Sequence, residues 1–78
     1  MTESDRVLDA RGLTCPLPIL RAKKALRSLG QGVTLTVLAT DPATFQDFQA
    51  FCRQTGDVLL ESTQQSDGSF FYRIQKQS

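Results

Sequence analysis

The feature that most limits the fold of this chain is its shortness, because 78 residues can build only one small hydrophobic core. We therefore expect a single domain that spans residues 1–78. Such a chain has room for one layer of helices on one layer of sheet, and none for a large enclosed substrate cavity. Any chemistry should therefore take place at the protein surface.

Hydrophobic periodicity predicts six elements in the order βαβαββ. Apolar side chains recur every three or four residues between positions 16 and 29, which is typical of an amphipathic helix, and they alternate with polar ones between positions 33 and 40, as in a half-buried strand. We expect strands at residues 6–10, 33–40, 58–63 and 70–75, and helices at residues 16–29 and from Pro42 to just before Gly56. Two helices on one face of a four-stranded mixed sheet make a two-layer α/β sandwich.

Each predicted helix has an apolar stripe that should face the sheet. The stripe residues are Ile19, Ala22, Leu26 and Leu29 in the first helix, and Phe45, Phe48 and Cys52 in the second. Cys52 is therefore expected in the core, where a small apolar side chain is usual and where a redox role is not expected.

The absence of histidine excludes several classes of site. Cysteine–histidine catalysis is excluded, and two cysteines alone cannot supply the four ligands of a structural zinc ion. We therefore expect no metal and no cofactor.

The polarity of the chain bears on its location. No apolar run is long enough to cross a bilayer, and residues 1–5 are too polar and acidic for a signal peptide. We expect a cytoplasmic protein without a membrane partner, with both cysteines reduced, and a monomer.

The segment Cys15-Pro16-Leu17-Pro18 carries the strongest sign of chemistry. Proline at the first helical position would make Cys15 the N-cap, with Pro18 third in the helix and the Leu17 N–H as the nearest free donor. The positive end of the helix and the nearby basic residues should lower the pKa of the thiol and favour a thiolate. The alternative is that Cys15 is only a small residue before a proline-started helix.

A docking face is expected beside Cys15. Leu17 and Leu20 fall on the side of the first helix that is away from its apolar stripe, together with three basic residues, and Arg11 precedes the motif. The basic members of this face are Arg11, Arg21, Lys24 and Arg27. The alternative is an ordinary solvated helix face with two isolated exposed leucines.

The segment from Leu8 to Pro18, which includes Gly12, resembles the N-terminal signature of the TusA/SirA/YedF family of small sulfur-transfer proteins and its Cys-Pro-x-Pro motif. Further matches to the family lie at Asp41-Pro42, Asp47, Phe51-Cys52 and Gly56. The resemblance implies a βαβαββ sandwich and a sulfurtransferase that carries sulfane sulfur as a persulfide on Cys15.

The resemblance also implies the partners. The donor would be a cysteine desulfurase or a rhodanese-like protein, and transpersulfidation would pass the sulfur to a reactive cysteine of an acceptor protein. The pathway could be tRNA thiolation, molybdenum cofactor supply or sulfur oxidation. Relatives that serve tRNA thiolation often have an acidic residue at the position of Leu17, and some relatives have histidine at the position of Asp57.

Two other functions are compatible with parts of the sequence. An RNA-binding or regulatory interaction module is one, because the fold resembles the C-terminal domain of a bacterial translation initiation factor, but a net charge of +1 and a single tyrosine do not favour RNA binding. A thiol redox protein is the other, but Pro18 stands where a second cysteine of a Cys-x-x-Cys pair would be.

Overall fold

The fold consists of a four-stranded sheet and two helices, and the predicted order βαβαββ is confirmed. A computed structural model describes residues 5–77. The expectation that the polar N-terminal segment is not a signal peptide concerns residues that lie mostly outside this range. The strands are β1 (Asp5–Ala10), β2 (Thr34–Ala39), β3 (Val58–Gln64) and β4 (Phe70–Gln75), and the helices are α1 (Leu17–Arg27) and α2 (Thr44–Thr55).

The sheet has the strand order β1-β2-β4-β3. β1 pairs with β2 in parallel, as a crossover through α1 requires, whereas β4 pairs antiparallel with both β2 and β3. Since β1 and β2 run in the same direction, their carboxyl ends meet at one edge of the sheet. The connections that lead into α1 and α2 therefore leave from the same edge.

The core lies between the sheet and the two helices. Phe48 of α2 packs against Tyr72 of β4, with 4.8 Å between the ring centroids. The Tyr72 hydroxyl is hydrogen-bonded to Oγ1 of Thr44 at 2.8 Å, so this buried polar group is satisfied. The buried apolar residues are Ala10, Ala22, Leu26, Leu35, Val37, Ala39, Phe48, Cys52, Phe70, Tyr72 and Ile74.

The predicted stripe of α2 is wrong at one position. Phe48 and Cys52 are buried, but Phe45 is 41% exposed, and Thr44 is fully buried instead. Residues 44, 48 and 52 follow one another at intervals of one helical turn and form the face toward the sheet. The hydroxyl of Thr44 can be buried there because Tyr72 and the main-chain carbonyl of Asp41 both bond to it.

The predicted extent of α1 is two residues too long at its carboxyl end. The helix ends at Arg27, and Ser28 closes it by donating both its N–H and its hydroxyl to the carbonyl of Ala25. Serine competes with the helical pattern in this way because its side chain bonds to nearby backbone groups. In the stripe of α1, Ala22 and Leu26 are buried, while Ile19 and Leu29 pack partly buried against the core.

Candidate functional site

Cys15 lies in the connection between β1 and α1, and its side chain is exposed. The connection turns at Gly12, whose φ of 83° is in the left-handed region that glycine adopts without strain. The N–H of Gly12 donates to Oγ1 of Thr40 at 2.9 Å, which ties the connection to the end of β2. Gly12 thus shapes the approach to Cys15.

Asp41 fixes the backbone of Cys15. One carboxylate oxygen, Oδ2, accepts the N–H of Cys15 at 2.8 Å, and the other, Oδ1, accepts the N–H of Ala43 at 3.0 Å. These two backbone bonds hold the pKa of Asp41 below its ordinary value. A single side chain therefore joins the connection before α1 to the connection before α2.

The start of α1 differs from the prediction. The helix begins at Leu17 with Pro16 as the N-cap, so Cys15 lies one residue before the cap and Pro18 is second in the helix rather than third. The Leu17 N–H, expected to be free, donates to the carbonyl of Thr14 at 2.8 Å, and Pro18 has no N–H to offer. The peptide bond between Cys15 and Pro16 is cis.

The predicted lowering of the pKa of the Cys15 thiol is wrong. Its pKa is raised, first by the side-chain interaction of the thiol with the Asp47 carboxylate, and then by partial desolvation and by the charges of Asp47 and Asp41. A nearby negative charge disfavours the thiolate. With the Leu17 N–H engaged and two carboxylates nearby, the acidic groups outweigh the helix end.

A shallow cavity of about 240 Å³ opens beside Cys15, between α1 and α2. Apart from Asp47 and Gln54 its walls are apolar or sulfur, so a small apolar group or a sulfur atom could enter it. It is lined by Cys15, Pro16, Ile19, Asp47, Ala50, Phe51 and Gln54.

Cys52 lies in the core, as predicted. It is 6% exposed, and burial together with the charge of Asp57 raises the pKa of its thiol to about 11. The histidine of some relatives is replaced by this Asp57, which is itself buried and accepts bonds from Thr55 Oγ1 and the Gln77 N–H.

The residues of the expected docking face are all exposed. Leu17 is 42% and Leu20 is 53% exposed, and the basic side chains of α1 beside them are exposed as well. These basic residues are Arg21, Lys24 and Arg27. Arg11, in contrast, is paired with Asp9, whose Oδ1 accepts from Nε at 2.8 Å. Arg11 is thus held on the β1 side of the connection.

Sequence reasoning missed the role of Asp41 and Asp47 near the thiol. The predicted topology contained the signal, because parallel β1 and β2 bring the starts of α1 and α2 to the same edge of the sheet. Acidic residues at the start of the second helix should then lie near a cysteine at the start of the first.

Among residues 5–77, no three histidine, cysteine, aspartate or glutamate side chains gather where they could hold a metal ion. Over the same described part of the chain, no helix is both long and apolar enough to span a membrane.

Comparison with known proteins finds one matching family and similar sequences that share its description. The family model for sulfurtransferase TusA matches residues 6–76. The chain is 51% identical over 76 residues to a sulfur carrier protein TusA of Allochromatium vinosum, covering 97% of this chain and 99% of the relative. It is 43% identical over 74 residues to the sulfur carrier protein TusA of Pseudomonas putida, covering 95% of this chain and 91% of that one.

A solved structure agrees with the fold. The crystal structure of a SirA-like protein from Desulfitobacterium hafniense superposes with a TM-score of 0.83 at 32% sequence identity. The match covers 94% of this chain and 99% of that chain.

Proposed function

Because this chain belongs to the TusA family of sulfurtransferases, we propose that it is a sulfur carrier that holds sulfane sulfur as a persulfide on Cys15. The observation that supports the choice of residue is the contrast between the two thiols. Cys15 is exposed beside an open cavity, whereas Cys52 is enclosed in the core. Only Cys15 can meet a cysteine of another protein without unfolding.

The proposed reaction is transpersulfidation. Cys15 attacks the outer sulfur of a donor persulfide, the donor's sulfur–sulfur bond breaks, and the donor's inner sulfur leaves as a thiolate that takes up a proton. The products are a Cys15 persulfide and a donor thiol. The same exchange in the next step gives the sulfur to an acceptor thiol and restores Cys15, so the cycle needs no external oxidant or reductant.

The proposed partners are a cysteine desulfurase or rhodanese-like donor and an acceptor protein with a reactive cysteine. The docking face of α1, with Leu17 and Leu20 among basic residues, adjoins Cys15. An acidic surface around the partner's reactive cysteine would complement it and speed association. Leu17 stands where relatives in tRNA thiolation often have an acidic residue, so relays in sulfur oxidation or cofactor supply are proposed beside tRNA thiolation.

The RNA-binding alternative has no comparable support. Tyr72, the one tyrosine, is fully buried and cannot stack on a base.

Mass spectrometry tests the proposal. The protein is incubated with glutathione persulfide, and added sulfur is mapped to a cysteine in the intact chain and in its peptides. We expect one added sulfur on Cys15 in the wild type and in a Cys52→Ser variant, and none in Cys15→Ser. Loading of Cys52 in the Cys15→Ser variant at the wild-type rate would refute the choice of Cys15.

A further inference from the structure

Among residues 5–77, the Asp47 carboxylate is the one acidic group that lines the cavity together with Cys15. Its Oδ2 atom is buried and has no hydrogen-bond partner among the described residues. A buried carboxylate oxygen without a partner is costly, and such atoms in native structures often await a ligand or a proton. Among the described residues, no hydrogen bond of regular geometry joins the Asp47 carboxylate to the Cys15 thiol. Hydrogen bonds between catalytic groups are often long or poorly aligned before substrate binds.

Asp41 cannot take the same role, although it also lies near Cys15. Both of its carboxylate oxygens already accept backbone N–H groups, from Cys15 and from Ala43. These bonds favour its charged form and make it a poor proton acceptor. Asp41 positions the backbone, whereas Oδ2 of Asp47 is a buried carboxylate oxygen without a partner among the described residues.

The thiol needs a proton acceptor at this site. The two groups that act on its ionisation are both acidic, Asp47 and Asp41, and no basic side chain of the described residues lines the cavity. Both acids disfavour the Cys15 thiolate, and the neutral thiol is a weak nucleophile. Loading must remove its proton as the new bond forms.

We propose that Asp47 is the general base of sulfur loading. This inference rests on the proposed function of Cys15. The Asp47 carboxylate takes the proton from Sγ of Cys15 while Sγ bonds to the outer sulfur of the donor persulfide. The donor's sulfur–sulfur bond breaks with its electron pair on the inner sulfur, the outer sulfur keeps its own proton, and Asp47 then protonates the departing thiolate. One thiol and one persulfide are consumed and one of each is formed.

Two reagents separate this role from a purely electrostatic one. In Asp47→Asn the loss of the carboxylate should lower the pKa of Cys15 and speed alkylation by iodoacetamide at neutral pH. Loading from glutathione persulfide should slow instead, since general bases contribute about 10²–10⁴-fold. The measured quantity is the ratio of the loading rate to the alkylation rate. A fall in this ratio of about tenfold or more supports the proposal, and any smaller change overturns it.

Matched variants check the interpretation. Asp47→Glu retains a carboxylate and should keep a ratio closer to that of the wild type, whereas Glu61→Gln removes an exposed acid on β3 and should leave the ratio unchanged. Thermal unfolding shows whether each variant is folded. If wild-type Cys15 takes up no sulfur, the proposed function itself fails. If it loads normally and Asp47→Asn loads in proportion to its alkylation, only the role of Asp47 fails.

A measurement on the wild type covers the case in which Asp47→Asn does not fold. The loading rate is divided by that of a cysteine peptide with the same donor, which cancels the titration of the donor. As the pH falls from about 8 to about 6, the loading rate of the peptide falls with its thiolate fraction. The loading rate of a thiol whose proton is taken by a carboxylate falls less. We expect the quotient to rise by about tenfold or more as the pH falls, and a constant or falling quotient overturns the proposal.

Discussion

At the scale of single residues, the site is a thiol whose ionisation is opposed by neighbouring acids more than it is favoured by the helix end. The Leu17 N–H is engaged by Thr14, and the carboxylate of Asp47 raises the pKa of Cys15. An empty carrier of this kind resists alkylation and oxidation, which act on the thiolate. On the proposed mechanism, Asp47 takes the proton of Cys15 when a partner brings the sulfur to be transferred.

The first prediction concerns the titration of Cys15. An acidic group whose charged form is disfavoured loses its proton at higher pH, so the thiolate of Cys15 should form at higher pH than that of an ordinary cysteine, whose pKa is about 8.5. The alkylation rate of a Cys52→Ser variant, followed against pH, should rise through the neutral range and level off above that value. A plateau already reached at neutral pH would show that the helix end dominates after all.

The second prediction concerns Leu17, which is the first residue of α1 and 42% exposed. In Leu17→Glu an apolar contact is lost and a charge is added within the first turn, where it suits the helix dipole and costs little stability. The new charge should raise the pKa of Cys15 further. Sulfur transfer should fall with some donor proteins and not with others, because a misplaced charge penalises only certain interfaces.

The measurement for Leu17 compares several donors, with the thiol pKa determined in parallel. An equal slowing with every donor, accounted for by the change in pKa, would show that Leu17 tunes the thiol and does not select partners.

At the scale of secondary-structure elements, α1 packs one face against the core and exposes the other, which is the docking face that we propose for partners. Ala22 and Leu26 are buried, while Leu20 and the basic side chains beside it face solvent. Exposed charges contribute little to folding stability, typically about 0–1 kcal/mol per pair. Their larger effect is on the rate at which a partner of opposite charge associates.

The third prediction removes the charge of this face. Replacing its three basic residues by glutamine should slow sulfur transfer from an acidic donor protein at low salt and flatten the salt dependence, with little change in the free energy of unfolding. The substituted residues are Arg21, Lys24 and Arg27.

The control removes the same charge at three exposed basic positions that are not part of the proposed docking face, one of which is also on α1. These positions are Arg6, Lys23 and Arg53. A similar slowing in both triple variants would indicate that only net charge matters and that α1 has no special docking face.

The elements were largely predictable from sequence, because their patterns are local. The alternation of apolar and polar residues predicts β2. Gly56, with its positive φ, closes α2 at the position where a glycine predicts the end of a helix. The misses depend on contacts between distant residues. Thr44 is buried in place of Phe45 because Tyr72, 28 positions away, satisfies its hydroxyl. The pKa of Cys15 depends on Asp41 and Asp47, which lie near the start of the second helix. Local reasoning about the first helix alone leaves these two acids out.

The edge strand β3 shows the same limit. Its register with β4 shifts between Leu59 and Glu61, and Leu60 is 46% exposed there. Such a bulge inserts one residue and turns the side chains that follow to the other face. Nothing in the run of residues 58–63 indicates it without the partner strand.

At the scale of the whole molecule, one small core holds both helix starts in place. Phe48 contacts Tyr72, Tyr72 bonds to Thr44, and Thr44 bonds to the carbonyl of Asp41. The side chain of Asp41 then holds the backbone of Cys15. The position of the reactive thiol therefore depends on core packing as well as on its own loop.

The fourth prediction compares two phenylalanines on α2. Phe48→Ala empties a fully buried site and should cost about 3–5 kcal/mol of unfolding free energy, a large share of the stability of so small a domain. Phe45→Ala, at a position that is 41% exposed, should cost much less. Denaturant unfolding of the two variants checks this, and equal losses would contradict the assigned burial.

The most direct test of a sulfur carrier is to follow one sulfur atom in and out of the protein. Cys15 is loaded with glutathione persulfide labelled with ³⁴S, the donor is removed, and a cysteine-containing acceptor peptide is added. Mass spectrometry should show the labelled atom leave Cys15 and appear on the peptide in equal amount, with the protein returned to its unloaded mass. Retention of the label on the protein, or its release without transfer to the peptide, would contradict the account.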